Sequence, residues 1–325
     1  MRDSNESSQE VKSYGKYATV QSVQRIKRND KIARTIFTIA GIISGAMIVL
    51  IFIFVFSKGV GVFLPSYGEG QQNLWAFLTG TRWRPDQGTY GVGFIIVNTI
   101  ISAFFAALIS FPLAVLTALM ITRMAPRQLR TVLTTAVEVL AAIPSVVYGV
   151  FASGVITQLV VKLSKAFNYN TAGGNSLLTV VLLLAIMIFP TMTDLAISAI
   201  NAVPDSLIQG SLALGATPTQ TNFKMVLRAA RSGIFSGLVM GLGRAFGEAT
   251  AVSMVAGNSY TGPSINPFDA TRTLTSTMLS GFHETSGVDY DIRFSVGIVL
   301  MILILISNAL IYMLKRKFGG GMQDE

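Results

Sequence analysis

Six long apolar stretches, separated by polar segments, set the pattern of this chain. They cover residues 35–57, 91–122, 131–161, 176–200, 232–256 and 294–314. A helix crossing about 30 Å of hydrocarbon needs roughly 20 mostly apolar residues, and every stretch reaches that length. The first, second and sixth contain no charge. The third carries Glu138, the fourth Asp194, and the fifth both Arg244 and Glu248. The pattern predicts an all-α, polytopic membrane protein with six transmembrane helices. Residues 1–31 read as a polar tail and 32–92 as the first transmembrane helix with its outer loop. Residues 93–314 read as a core of five further helices, and 315–325 as a second tail.

Composition agrees with that pattern. Of the 325 residues 51% are hydrophobic and only 13% are charged, with a mean hydropathy of +0.57. An ordinary soluble domain carries about 25% charged residues, so a disordered chain is excluded and a soluble globular enzyme is disfavoured. Six spans put both termini on one side of the membrane. Seventeen of the 25 Lys and Arg lie in the two tails and in the second and fourth connections, against seven in the other connections. The positive-inside rule makes the richer side, with both termini, cytoplasmic. With acids counted, the cytoplasmic segments net +10, the outer loops +1 and the spans −2. The overall charge of +9 is therefore mostly topology and calls for no nucleic-acid partner. The first span is too long for a signal-peptide core and has no convincing cleavage site, which implies an uncleaved helix behind a cytoplasmic tail.

The residues also limit the chemistry. There is no cysteine, which excludes disulfides, thiolate nucleophiles and cysteine-ligated metals. The one histidine, His283, falls in an outer loop rich in Ser, Thr and Asp and reads as solvated. A membrane-embedded enzyme is disfavoured, because no nucleophile–base pair stands out. No phosphate-binding G-x-x-x-x-G-K-[ST] loop is present, since the only Gly-Lys pair is Gly15-Lys16 in the tail. Gly241-x-Gly243 is no dinucleotide fingerprint, as it lies inside a membrane span.

The most informative connection is 201–231. Asp205 or Ser206 after Pro204 can open a short helix, and Gly215 is placed to close it. Thr217 suits an N-cap with Pro218 at the first helical position, and a second helix is expected to run through Leu227 toward Ala230. Two short helices around a Gly-Ala-Thr corner make a projecting knob. Its Leu207, Leu212, Leu214, Phe223 and Val226 cannot all be hidden by so short a segment. Two readings stand: interfacial helices lying on the membrane, or a docking element for a cytoplasmic partner.

The fifth span holds the charges. At 100° per residue, Glu248 falls about 40° and Gly241 about 60° from Arg244, with Gly237 and Gly233 on the same side. The opposite face holds Phe235, Leu238, Val239, Leu242 and Phe246 and is expected to meet lipid. Counting from Ser232, Arg244 lies roughly 18 Å along the helix, near mid-membrane. A guanidinium there costs about 2.5 kcal/mol or more by insertion scales, so it needs a partner. Either Arg244 and Glu248 pair only to permit burial, or Arg244 meets a transported anion. Guanidinium matches oxyanion geometry through paired, charge-assisted hydrogen bonds and stays charged at any working pH. In the second case Glu248 holds Arg244 while no anion is bound. Glu138 reads as capping or pairing within the bundle, Asp194 as near the cytoplasmic end of its span, and Pro112, Pro144 and Pro190 as kinks.

Three runs resemble one family. They are Ala142-Ile-Pro-Ser-Val-Val-Tyr-Gly149, Met124-Ala-Pro-Arg-Gln-Leu-Arg130 and Gly241-Leu-Gly-Arg-Ala-Phe-Gly-Glu-Ala-Thr250. With the 201–231 loop they are similar to the type I ABC importer permeases (MetI-like fold), and within these to the PstC-type phosphate permeases. The likeness spans roughly residues 93–312. In that family's coupling loop Gly215 fits the glycine. Gln209, Gly210 and Ser211 stand where Glu-Ala-Ala is usual, and Leu227-Arg228 where Leu-Pro is usual. The resemblance implies a transport subunit in a bacterial or archaeal cytoplasmic membrane that uses no cofactor of its own. ATP and Mg would be bound by two PstB-type ATPases below, beside a PstA-type permease partner and under a PstS-type phosphate-binding protein. It implies a substrate path at Arg244 and Glu248, with Glu138 and Ser145 as further candidates. It implies ATPase coupling through Gln209, Gly210, Ser211, Leu214, Gly215, Ala216 and Thr217. The competing readings are an importer of another oxyanion, such as molybdate or sulfate, and a stand-alone anion carrier or channel.

Overall fold

A computed structural model describes residues 20–68, 70–171 and 173–319. The far ends of both expected tails, 1–19 and 320–325, lie outside the described residues. Among the described residues six helical segments are long and apolar enough to cross a membrane: Arg28–Gly61, Gly93–Met124, Ser145–Ala166, Leu177–Asn201, Pro218–Gly247 and Val288–Met313. The described chain is helical apart from one two-stranded hairpin and short connections.

Contacts divide the chain into two units, Met1–Ser57 and Lys58–Glu325. Residues 58–92 fall within the second unit. Helix α1 (Val20–Gly61) supplies the described part of the first unit and begins within the stretch expected to be a polar tail. From Ile36 to Phe54 its large apolar side chains are exposed. A helix apolar on all sides belongs in lipid or against other transmembrane helices.

The second unit is built around α7 (Leu177–Asn201). On one side lies α3 (Gly93–Leu119), which follows α2 (Leu74–Thr79) and the hairpin. Its buried Ala103, Ala106, Ala107, Ser110, Ala114 and Ala118 let the α3 and α7 backbones approach closely. On the other side lies α10 (Leu227–Gly247), whose Gly233, Gly237 and Gly241 face Ala199, Leu195 and Met192 of α7. This bears out the glycine row as a packing face. The face opposite is not simply lipid-facing: Phe246 is buried, and Leu238 and Leu242 pack on the central apolar cluster with Tyr148, Ile188 and Val252.

The third span differs from expectation. It is not one helix over 131–161 but two, α4 (Arg127–Ala142) and α5 (Ser145–Phe151). A π-helical turn (Ala152–Ile156) carries α5 into α6 (Thr157–Ala166). Ile143 is extended, with ψ 127°, because the ring of Pro144 disfavours the helical region for the residue before it and supplies no N–H. Pro112 and Pro190, by contrast, sit inside the unbroken α3 and α7.

The two ends of the unit are distinct. At one, α8 (Asp205–Ala213) and the short α9 (Pro218–Gln220) form a knob. At the other, β1 (Trp83–Arg84) pairs antiparallel with β2 (Thr89–Tyr90), Trp83 opposite Tyr90. Trp83 and Tyr90 meet edge to face and are buried with Val62, Phe94, Leu274 and Ile292. The Tyr90 hydroxyl bonds the Asp289 carboxylate. Trp83 N–H donates to the Tyr260 carbonyl at 2.9 Å, tying the hairpin to the 258–261 segment. The hairpin end also holds α12 (Leu274–Leu279) and the start of α13 (Val288–Gly319).

Candidate functional site

The fifth span, expected over 232–256, is interrupted. Helix α10 stops at Gly247, Glu248 turns to ψ 113°, and α11 (Thr250–Val255) starts afresh. No proline causes this. A glycine weakens the helix, and the backbone groups freed by the break find partners nearby. The Glu248 carboxylate accepts the Ala251 N–H at 2.9 Å, and the Glu248 carbonyl accepts the Thr275 hydroxyl of α12 at 2.7 Å. Broken helices are tolerated at membrane depth where their polar groups are so satisfied.

Arg244 sits in the last turn of α10, where the helix dipole favours a cation. Its Nη1 donates to Thr191 Oγ1 at 2.9 Å. Thr191 lies about 21 Å from the first residue of α7 and about 15 Å from the last, at 1.5 Å per residue. The guanidinium is therefore near mid-membrane, as the sequence suggested, although its own helix runs on from Pro218 and ends there. Among the described residues no carboxylate pairs with it. The expected Arg244–Glu248 pair is absent: the break takes Glu248 off the helical face of Arg244, and its carboxylate caps α11 instead.

Tyr148 of α5 lies within electrostatic reach of Arg244 and donates its hydroxyl to the Leu140 carbonyl at 2.8 Å, bridging the Pro144 break. Gly149 packs against Ala251 of α11 so closely that a Cβ there would come within 2.9 Å of the Ala251 Cα. Two of the three telling runs thus meet around the two breaks. Ser145, half-buried, opens α5, and no hydrogen bond joins it to Arg244 or Glu248 among the described residues. Glu138 on α4, which lies outside the six spans, and Asp194 on α7 are exposed carboxylates, and neither pairs with Arg244 among the described residues. Thr191 and Tyr148 had escaped notice as site residues. The signal for Thr191 was a hydroxyl one position after Pro190, in a mostly apolar span that also holds Thr193 and Asp194.

The knob forms largely as expected. Gly215 follows α8 at φ +84°, a left-handed position that favours glycine. Thr217 caps α9 in a reciprocal box with Gln220 at 3.0 and 3.2 Å, with Pro218 at the first position. Ser211 and Thr221 hydroxyls bond at 3.0 Å, and Ala216 N–H reaches the Ser211 carbonyl at 3.2 Å. The second helix is not separate, however. It continues through a π-helical turn (Thr221–Val226) into α10, and Arg228, standing where proline is usual, does not interrupt it. Val226 is buried, while Leu207, Leu212 and Phe223 are exposed and Leu214 is 91% exposed. Gln209 and Gly210 are also exposed.

Residues 110–320 match the family described as "Binding-protein-dependent transport system inner membrane component". The chain is 35% identical over 288 residues to the probable ABC transporter permease protein YqgH of Bacillus subtilis, covering 87% of this chain and 90% of that one. It is 32% identical over 262 residues to the phosphate transport system permease protein PstC of Pasteurella multocida, covering 75% and 82%. Its fold matches a bacterial alginate ABC transporter crystallised with its pentasaccharide-bound periplasmic protein, with a TM-score of 0.60, 16% identity, and 90% and 98% of the two chains covered. Together these observations make the chain a member of the binding-protein-dependent inner membrane component family, a multi-pass, non-catalytic permease subunit of an ABC importer.

Proposed function

We propose that this chain forms half of the translocation path for inorganic phosphate. One observation carries the reading: a guanidinium at mid-membrane, at the end of a broken helix, bonded among the described residues to a single neutral hydroxyl and to no carboxylate. Such a group is costly unless an anion visits it, and it offers paired donors that suit a tetrahedral oxyanion. Likeness to PstC proteins supports phosphate as that anion. The knob end is then cytoplasmic and the hairpin end outside, a reading that the distribution of Lys and Arg supports.

In this reading a PstA-type permease completes the path, two PstB-type ATPases bind ATP and Mg, and a PstS-type protein delivers phosphate. ATP binding moves the knob, whose exposed Leu214 and rigid Gly215–Thr217 corner fit an ATPase groove. The motion rocks α7 and α10 and exposes Arg244 first outward, then inward. Glu248 fixes the start of α11 and keeps a negative charge near the anion, which prevents binding too tight for release. No bond is made or broken in this chain.

The test is uptake of radiolabelled phosphate into proteoliposomes containing the assembled transporter, with loaded binding protein outside and ATP inside. Uptake that needs both ATP and Arg244 supports the reading. ATP-dependent uptake of sulfate or molybdate in place of phosphate changes the substrate. Phosphate uptake by this chain alone, indifferent to ATP, overturns the reading in favour of a carrier or channel.

A further inference from the structure

At the hairpin end a cavity of about 410 Å³ is lined by three arginines, Arg84, Arg272 and Arg293, together with Trp83, Tyr260 and Asp86. Arg272 and Arg293 are each only 5% exposed. Arg272 donates from Nε to the Ser259 carbonyl at 2.8 Å and from Nη2 to the Asn258 carbonyl at 2.7 Å. Arg293 donates from Nε to the Asp289 carbonyl at 3.1 Å and from Nη1 to the Thr277 carbonyl at 2.6 Å and the Ser280 carbonyl. Every acceptor is a neutral backbone oxygen. Such bonds fix a guanidinium in place but leave its charge uncancelled.

The carboxylates nearby offset it only in part. Asp289, whose side chain accepts the Tyr90 hydroxyl, attracts Arg293 but lies outside the cavity lining. Asp86 stands at the rim, 63% exposed, 3.8 Å from Arg84. The cavity lining therefore carries three cations against one acid, with Asp289 behind Arg293 as the one further acid. Burial lowers the Arg272 pKa to about 10, with the Arg293 charge adding to the effect and Tyr260 opposing it, so Arg272 remains charged at neutral pH. Arg84 and Arg272 lie 5.3 and 5.5 Å from the Tyr260 ring centroid, which spaces them around one aromatic plate.

A purely structural role explains the carbonyl bonds, since Arg293 ties α12 to α13 and Arg272 ties down residues 258–259. It does not explain Arg84, which faces the same cavity with only the rim acid and the Tyr260 ring as partners. Nor does it use Arg272 Nη1 or Arg293 Nη2, which donate to no protein atom among the described residues. An oxyanion seated among the three would engage these donors and relieve the repulsion between cations.

We propose that this cavity is an outer receiving site for a tetrahedral oxyanion, occupied on the way from the binding protein to Arg244. The identity of the anion as phosphate rests on the function proposed above, whereas the site's preference for an oxyanion rests on the three arginines.

The experiment is equilibrium binding of radiolabelled phosphate, sulfate and molybdate to the assembled, detergent-solubilised transporter without binding protein or nucleotide. Arg84→Gln and Arg272→Gln are compared with Arg244→Gln, with assembly checked by co-elution of the subunits. Phosphate is expected to bind the natural protein, at least tenfold more weakly to the Arg84 and Arg272 variants, and still to bind at the outer site in Arg244→Gln. Phenylglyoxal labelling of Arg84, slowed by phosphate but not by chloride at equal ionic strength, gives the same answer without mutation. Binding indifferent to Arg84 and Arg272, with no protection of Arg84, would overturn the site. Protection that appears only when the binding protein docks would also overturn it, marking the cavity as a seat for a protein carboxylate. Sulfate or molybdate binding with the same arginine dependence, and no phosphate binding, would keep the site and remove phosphate as the substrate.

Discussion

Arg244 and the pair Arg272–Arg293 are held in opposite ways. The first, half-buried at mid-membrane, has one hydrogen-bonded tether among the described residues, the Thr191 hydroxyl. The others, almost wholly buried at the hairpin end, are gripped by two and three backbone carbonyls. A cation held by a single rotatable hydroxyl can change partners as helices shift. One built into the backbone of two loops moves only with those loops. In the function proposed above, the contrast would separate a guanidinium that passes an anion along from guanidinia that wait for one.

The comparison can be broken at either end. Arg244→Ala should reduce ATP-dependent phosphate uptake more than about 100-fold, the scale on which losing a preorganised donor acts, with the complex still assembled. Uptake near the natural rate would remove Arg244 from the path. Arg293→Met should do the reverse and act first on stability. Three buried carbonyls lose a charged donor, a cost of about 2–4 kcal/mol, read as a melting temperature lowered by roughly 5–10 °C in the purified transporter. An equal drop in Arg244→Ala would erase the distinction.

Two smaller effects sharpen it. Gly215→Val places a branched side chain at φ +84°, costing about 1–2 kcal/mol locally, and tilts Leu214 at the knob. ATP hydrolysis is expected to continue while uptake falls roughly tenfold; full coupling would argue against the knob as the ATPase contact. Thr191→Val removes one hydrogen bond of about 1 kcal/mol and should lower uptake by about fivefold. Its failure to change the uptake rate at all would mean that the tether does not position Arg244.

What could be read from sequence was whatever local chemistry decides. The apolar stretches gave six spans, and the Pro204, Gly215 and Thr217-Pro218 signals gave the knob, because caps and turns are settled within a few residues. The breaks were harder to see. Pro144 interrupts its span while Pro112 and Pro190 do not, and each is a proline in an apolar run. The stop at Gly247 depends on Thr275, 27 residues further on, meeting the Glu248 carbonyl; a helical wheel drawn through 232–256 assumes that carbonyl stays in its ladder. The expected Arg244–Glu248 pair failed for that reason. The outer arginines were hidden for another: their acceptors are backbone oxygens, which every residue carries and no sequence pattern reveals.

Asp194 remains, exposed on α7, a helix long and apolar enough to cross the membrane. A carboxylate does not belong against acyl chains, so the face it marks must be covered by the partner permease or open to water. A copy of this chain made in excess of its partner would carry that carboxylate into lipid. Cells should therefore find the orphan subunit poorly inserted and short-lived, and balanced synthesis of the two permeases becomes a requirement written into this chain's surface.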